Sequence, residues 1–135
     1  ALAGCLREFD SNAAKLLALR QRFLAGLAEV SPILNGPAAG GLPHVLNLSV
    51  PRCRADALLM ALDLAGVACS TGSACSSGSL LPSPVLKAMG VSDERLRSAM
   101  RFSFGPEITP AQADEAARIV VRVVKRLREA DDDPQ

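Results

Sequence analysis

The 135-residue chain is nearly half apolar, and its 15 Lys and Arg almost balance its 14 Asp and Glu. A chain of that length makes one domain with a real core, burying roughly two-thirds of its unfolded surface. Near-neutral charge and the lack of Trp and Tyr argue against disorder and against a base-stacking surface for nucleic acid.

Four cysteines, Cys5, Cys53, Cys69 and Cys75, are scattered without a CxxC, and the single His44 has no ligand cluster around it, so neither a metal site nor a disulfide scaffold is expected. No window has the apolar length of a membrane span or the form of a secretory signal. A cytoplasmic, reducing setting is the expectation.

Leu2 to about Leu27 reads as a long helix. Leu2, Leu6, Phe9, Ala13, Leu16, Leu17, Leu24 and Leu27 fall near helical spacing, with Arg7, Lys15, Arg20 and Arg22 mostly elsewhere. No N-cap precedes Ala1, as if the helix continued from something longer. Val30 to Asn35 predicts a short strand that Pro32 confines to an edge. Asn35-Gly36-Pro37 and Gly40-Gly41-Leu42-Pro43 mark a turn and a loop. Val45 to Val50 alternates as a strand, with Leu46, Leu48 and Val50 on one face and Val45, Asn47 and Ser49 on the other. His44, just before it, has the place of a structural or surface residue.

Arg54 to Ala65 predicts a helix with an apolar stripe of Ala55, Leu58, Leu59 and Leu62, stopped by Gly66. Val67 to Ser70 then reads as a short strand. It runs into Ser70-Thr71-Gly72-Ser73-Ala74-Cys75-Ser76-Ser77-Gly78-Ser79, a small polar tract that cannot pack a core. A free cysteine is usually buried as a small apolar group. One set among Ser and Gly is exposed, so Cys75 is a candidate reactive thiol; the plain alternative is a chance cysteine in a surface loop. Cys5, Cys53 and Cys69 are expected to be inert and buried.

Ser83 is a natural N-cap with Pro84 at the first helical position, opening a short helix to Met89 that Gly90 stops. Ser92 caps another, with Asp93 and Glu94 at its positive end. Met100 to Phe104 alternates strictly: Met100, Phe102 and Phe104 go inward, Arg101 and Ser103 to the opposite face. Thr109-Pro110-Ala111-Gln112 is a capping box for a last helix to about Ala130, with Ala113, Ala116, Ala117, Val120, Val124 and Leu127 on its core face. Arg122, Lys125, Arg126 and Arg128 suit its negative end. Asp131-Asp132-Asp133 reads as a solvated tail. The whole predicts an α+β fold, a small two-layer sandwich with a mostly antiparallel sheet and helices packed on one face.

Taken together, STGSACSSGSLLPSPVLKAMG, SAMRFSFG, GLPHVLNLSV and ADALLMALDLAGVACS resemble, in order and over nearly the whole chain, the C-terminal small domain of cysteine desulfurases. The likeness is to the NifS/IscS type of class V aminotransferase, of pyridoxal-phosphate fold type I, in the branch whose active cysteine lies on a long flexible loop. The resemblance implies a domain over residues 1–130, in which 1–28 leads in from a large domain and 70–83 is the active-cysteine loop, followed by an acidic tail at 131–135. It implies that L-cysteine becomes L-alanine while its sulfur passes to Cys75 as a persulfide, with pyridoxal 5′-phosphate as electron sink. It implies that Arg101, in the Arg-Phe-Ser strand, holds the substrate α-carboxylate, for which a guanidinium offers two parallel hydrogen bonds. The sulfur acceptor would be an iron–sulfur scaffold or a tRNA-thiolation protein, and the complete enzyme a homodimer.

That chemistry also needs a lysine for the cofactor's Schiff base. Lys15, Lys87 and Lys125 fall on predicted helix surfaces, outside any Ser-x-His-Lys context, so no cofactor-binding residue is expected in this chain. The expectation is a piece of a desulfurase that does not turn over alone. Two rivals keep the fold: a stand-alone sulfur-carrier or partner-binding module without pyridoxal chemistry, and a structural domain with an incidental thiol.

Overall fold

The computed structural model describes residues 2–37, 41–71 and 83–133. Helix α1 runs Leu2–Gly26, followed by a single 3-10 turn at Ala28–Val30 and a two-residue strand β1, Ile33–Leu34. Strand β2 is Val45–Ser49, helix α2 Ala55–Leu64, and the short helices α3 and α4 are Pro84–Ala88 and Asp93–Arg97. Strand β3, Ala99–Ser103, and helix α5, Pro110–Asp132, complete the order. The strands form one antiparallel sheet in the order β1-β2-β3, so β1 is an edge, as Pro32 requires.

One face of this sheet carries the core. Leu46, Leu48, Met100 and Phe102 pack with Leu58 and Leu62 of α2 and with Ala113, Ala117, Val120 and Val124 of α5. Helix α1 joins through Leu19 and Phe23, with Leu27 just after it. The Phe23 ring lies 4.9 Å from that of Phe102 and meets Phe104 edge-on at 5.5 Å. At Gly26, a Cβ would sit 2.7 Å from that of Ala117, so only glycine lets α1 approach α5 this closely.

Among the described side chains, the buried stripe of α1 is therefore Leu19 and Phe23, continued by Leu27 just beyond the helix, with Leu16 and Leu24 beside it; Leu17, expected on that face, is 39% exposed. Arg20, expected among the outward charges, is only 7% exposed, and its Nε is buried without a partner among the described residues.

The helix ends follow their local chemistry. Gly66, at φ +87°, closes α2: its N–H donates to Asp63, and the Val67 N–H donates to Leu62. This is why 67–70 is not the predicted strand. Val67 belongs to the helix cap, and the first ladder partner is Ser70, in an isolated bridge to Arg101. Ser83 and Ser92 cap α3 and α4, and Thr109 with Gln112 forms the full capping box of α5. Helix α5 takes Asp131 and Asp132 into its last turn instead of leaving them in a tail, with Asp132 ion-paired to Arg52 and Arg128 bonded to the carbonyls of Pro51 and Val30.

Helices α1, α2 and α5 cover one face of the sheet, as the two-layer reading expects. The pair α3 and α4 makes its own small cluster, Leu86 and Leu96 against Ala99, which alternates with Met100 and so faces the other side.

Candidate active site

Arg101 sits at the middle of β3, flanked by the buried Met100 and Phe102, so pleating turns its side chain to the face away from the core. It is half-buried there, and its guanidinium makes no hydrogen bond or ion pair among the described residues. Its backbone is occupied on one side by Ser70: the Ser70 N–H donates to Arg101 at 3.0 Å and the Arg101 N–H donates to Ser70 at 2.6 Å. The polypeptide entering the Gly/Ser tract is thus fastened to the strand that carries Arg101. Cys75 itself lies outside the described residues, as do most of the predicted loop residues 70–83.

The described cysteines differ from one another. Burial, and secondarily the charge of Asp63, pushes the Cys69 thiol up to about 11. Burial raises Cys53 as well, opposed by Arg128. Both are held as thiols near neutral pH and are poor nucleophiles. Cys5, expected to be buried, is exposed on α1.

His44 is exposed, and its backbone carbonyl accepts from the Phe104 N–H at 2.8 Å, a structural part. Lys15 bonds to the Pro106 carbonyl, Lys125 pairs with Glu29, and Lys87 is exposed on α3. Among the described residues, no cluster of His, Cys, Asp and Glu is arranged for a metal ion, and no helix is long and apolar enough to cross a membrane.

Sequence reasoning missed a polar group beside Arg101. Asn35, Asn47, Ser49 and Arg95 form a connected hydrogen-bond network on the same face of the sheet, with Asn35 4% exposed and Ser49 fully buried. Alternation alone places Asn47 and Ser49 on the polar face. What it lacks is the register, Asn47 opposite Arg101, and the seating of α4 over Ser49.

The model of the aminotransferase class-V family matches residues 6–115, and the chain belongs to that family. Among its relatives, the cysteine desulfurase IscS of Pseudomonas aeruginosa (strain LESB58) is 44% identical over 125 residues, covering 90% of this chain and 30% of the relative. That of Photorhabdus laumondii is 39% identical over 124 residues, covering 91% and 30%. A solved structure described as a NifS-like protein superposes with a TM-score of 0.76 at 23% identity over 90% of this chain and 30% of the other, which shows the shared fold. The chain spans about 30% of the length of the relatives it matches.

Proposed function

We propose that this chain is part of a cysteine desulfurase, and that it supplies the sulfur-accepting Cys75 and the carboxylate-binding Arg101. One observation carries the reading: Ser70, from which the chain runs on to Cys75, is bridged to Arg101, whose guanidinium has no partner among the described residues. Cys75 is five residues after Ser70, a reach of at most about 18 Å. That short reach supports reading nucleophile and anchor as parts of one site.

Arg101 fixes L-cysteine by its α-carboxylate. The Cys75 thiolate attacks the substrate sulfur, forming an S–S bond as the substrate C–S bond breaks. The electron pair of that bond stays with carbon, which takes up a proton to give L-alanine, and the extra sulfur remains on Cys75 as a persulfide. A thiolate is required, because the thiol is a weak nucleophile.

Pyridoxal phosphate supplies the electron sink in this reaction class when bound. The described lysines do not fit its Schiff-base role, since Lys15 and Lys125 are bonded at the surface elsewhere and Lys87 is solvent-facing. Its Schiff-base lysine is accordingly assigned to the remainder of the whole protein. A homodimer, a cytoplasmic setting and a protein acceptor for the sulfur, an iron–sulfur scaffold or a tRNA-thiolation protein, complete the proposal. Following L-alanine formation from L-cysteine by the whole protein tests it: Cys75→Ala should abolish the product, and undiminished turnover would refute the role.

A further inference from the structure

Asn47 and Arg101 are register partners across β2 and β3. Arg101 directs both backbone groups away, to Ser70, and the Asn47 carbonyl points the other way, accepting from the Asn35 N–H at 2.9 Å. They are therefore a non-hydrogen-bonded pair, the geometry that brings antiparallel partners closest, at a Cα separation of about 4.5 Å. Both side chains stand half-buried on the face away from the core.

The Asn47 amide is fixed by a chain of donors and acceptors that starts at Arg95. The Arg95 Nη2 donates to Leu34 O at 3.0 Å and to Asn35 Oδ1 at 2.6 Å. A guanidinium can only donate, so the Asn35 oxygen must face it, and the Asn35 nitrogen must face the other way. That nitrogen donates to Ser49 Oγ at 2.7 Å and to Asn47 Oδ1 at 3.0 Å, and Ser49 Oγ donates in turn to Arg95 O at 2.6 Å. With its oxygen engaged, Asn47 has its NH2 left over. Neither that NH2 nor the Arg101 guanidinium donates to any other group among the described residues.

We propose that Asn47 is a second substrate-anchoring residue, donating its amide NH2 to the same α-carboxylate that Arg101 grips, in an orientation held by the Arg95–Asn35 relay. The inference rests on the reading of Arg101 as the carboxylate anchor. A carboxylate has acceptor sites enough for a bidentate arginine and a further donor. Asn35 and Ser49, both buried, act as positioning residues that keep the amide from turning its oxygen to the anion.

The test uses the whole cofactor-loaded enzyme and two probes, L-alanine and alaninamide, which differ only in the carboxylate. Inhibition of L-cysteine turnover by each is measured for the parent, Asn47→Ala, Asn47→Asp and Arg101→Ala. Asn47→Asp is expected to raise the KM for L-cysteine and the L-alanine inhibition constant by about tenfold or more, with kcat and alaninamide inhibition unchanged. Asn47→Ala should move the same constants less, and it serves alone if the aspartate variant melts early. Unchanged L-alanine inhibition in both Asn47 variants, with Arg101→Ala weakened, overturns this inference and leaves Arg101 standing. Equal weakening of both probes also overturns it, because it marks a deformed site. If Arg101→Ala too leaves L-alanine inhibition intact, the underlying reading fails.

Discussion

Ser70 and Arg101 exchange both of their backbone hydrogen bonds, at 3.0 and 2.6 Å, in the one isolated bridge among the described residues. The bridge uses the free edge of β3 and leaves the Arg101 side chain on the open face. A polypeptide leaving Ser70 is thus launched from the strand where a substrate carboxylate would be held.

Replacing Arg101 by lysine keeps the charge and loses the planar fork. In the whole protein, Arg101→Lys should raise the KM for L-cysteine by about tenfold, the cost of one charge-assisted hydrogen bond. Steady-state kinetics checks this, and unchanged KM and turnover would remove Arg101 from the site.

The described thiols should rank by environment. Cys5 is exposed, whereas Cys69 is raised to about 11 by burial and by Asp63. At neutral pH, peptide mapping after brief alkylation should find Cys5 modified well before Cys69 and Cys53. Selective modification of Cys75 is therefore to be judged against the buried Cys53 and the partly buried Cys69. The Cys69 rate should climb as pH rises toward 11, because only the thiolate reacts.

The same shift has a stability consequence. An unfolded Cys69 ionises near 9 and the folded one near 11, so the folded state holds its proton longer. The contribution is whole below pH 9 and is lost as pH rises from 9 to 11. Denaturant midpoints for the parent should fall across that window more steeply than for Cys69→Ala.

Gly26 and Ala117 set the spacing of α1 and α5. A Cβ at position 26 would meet that of Ala117 at 2.7 Å, between two helices that cannot both stay where they are. Gly26→Ala should destabilise by about 1–3 kcal/mol, the usual cost of overpacking. Urea denaturation measures it, and a neutral or stabilising result would mean that the helices part without loss.

Much of this architecture is legible in the sequence because it is local. Alternation in 45–50 and 100–104 gives both faces of the main strands, and the serine and threonine caps, two of them followed by proline, give three helix starts. What fails is tertiary. Leu17 and Phe23 both lie near a helical apolar stripe, and only the docking against Phe102 and Phe104 makes Phe23 the buried one. The last helix runs two residues past Ala130, taking in Asp131 and Asp132, which stay exposed as expected. At the site, Arg101 stands out through its motif. Asn47 and Asn35 do not, because their meaning depends on strand register and on the seating of Arg95.

The central claim is that sulfur from L-cysteine comes to rest on Cys75. The most direct measurement is peptide mass spectrometry of the whole cofactor-loaded protein after one exposure to L-cysteine, without a reducing agent or an acceptor. The account predicts a gain of one sulfur atom on the peptide holding Cys75 and none on those holding Cys5, Cys53 or Cys69. An unmodified Cys75 alongside newly formed L-alanine, or the added sulfur on another cysteine, would contradict it.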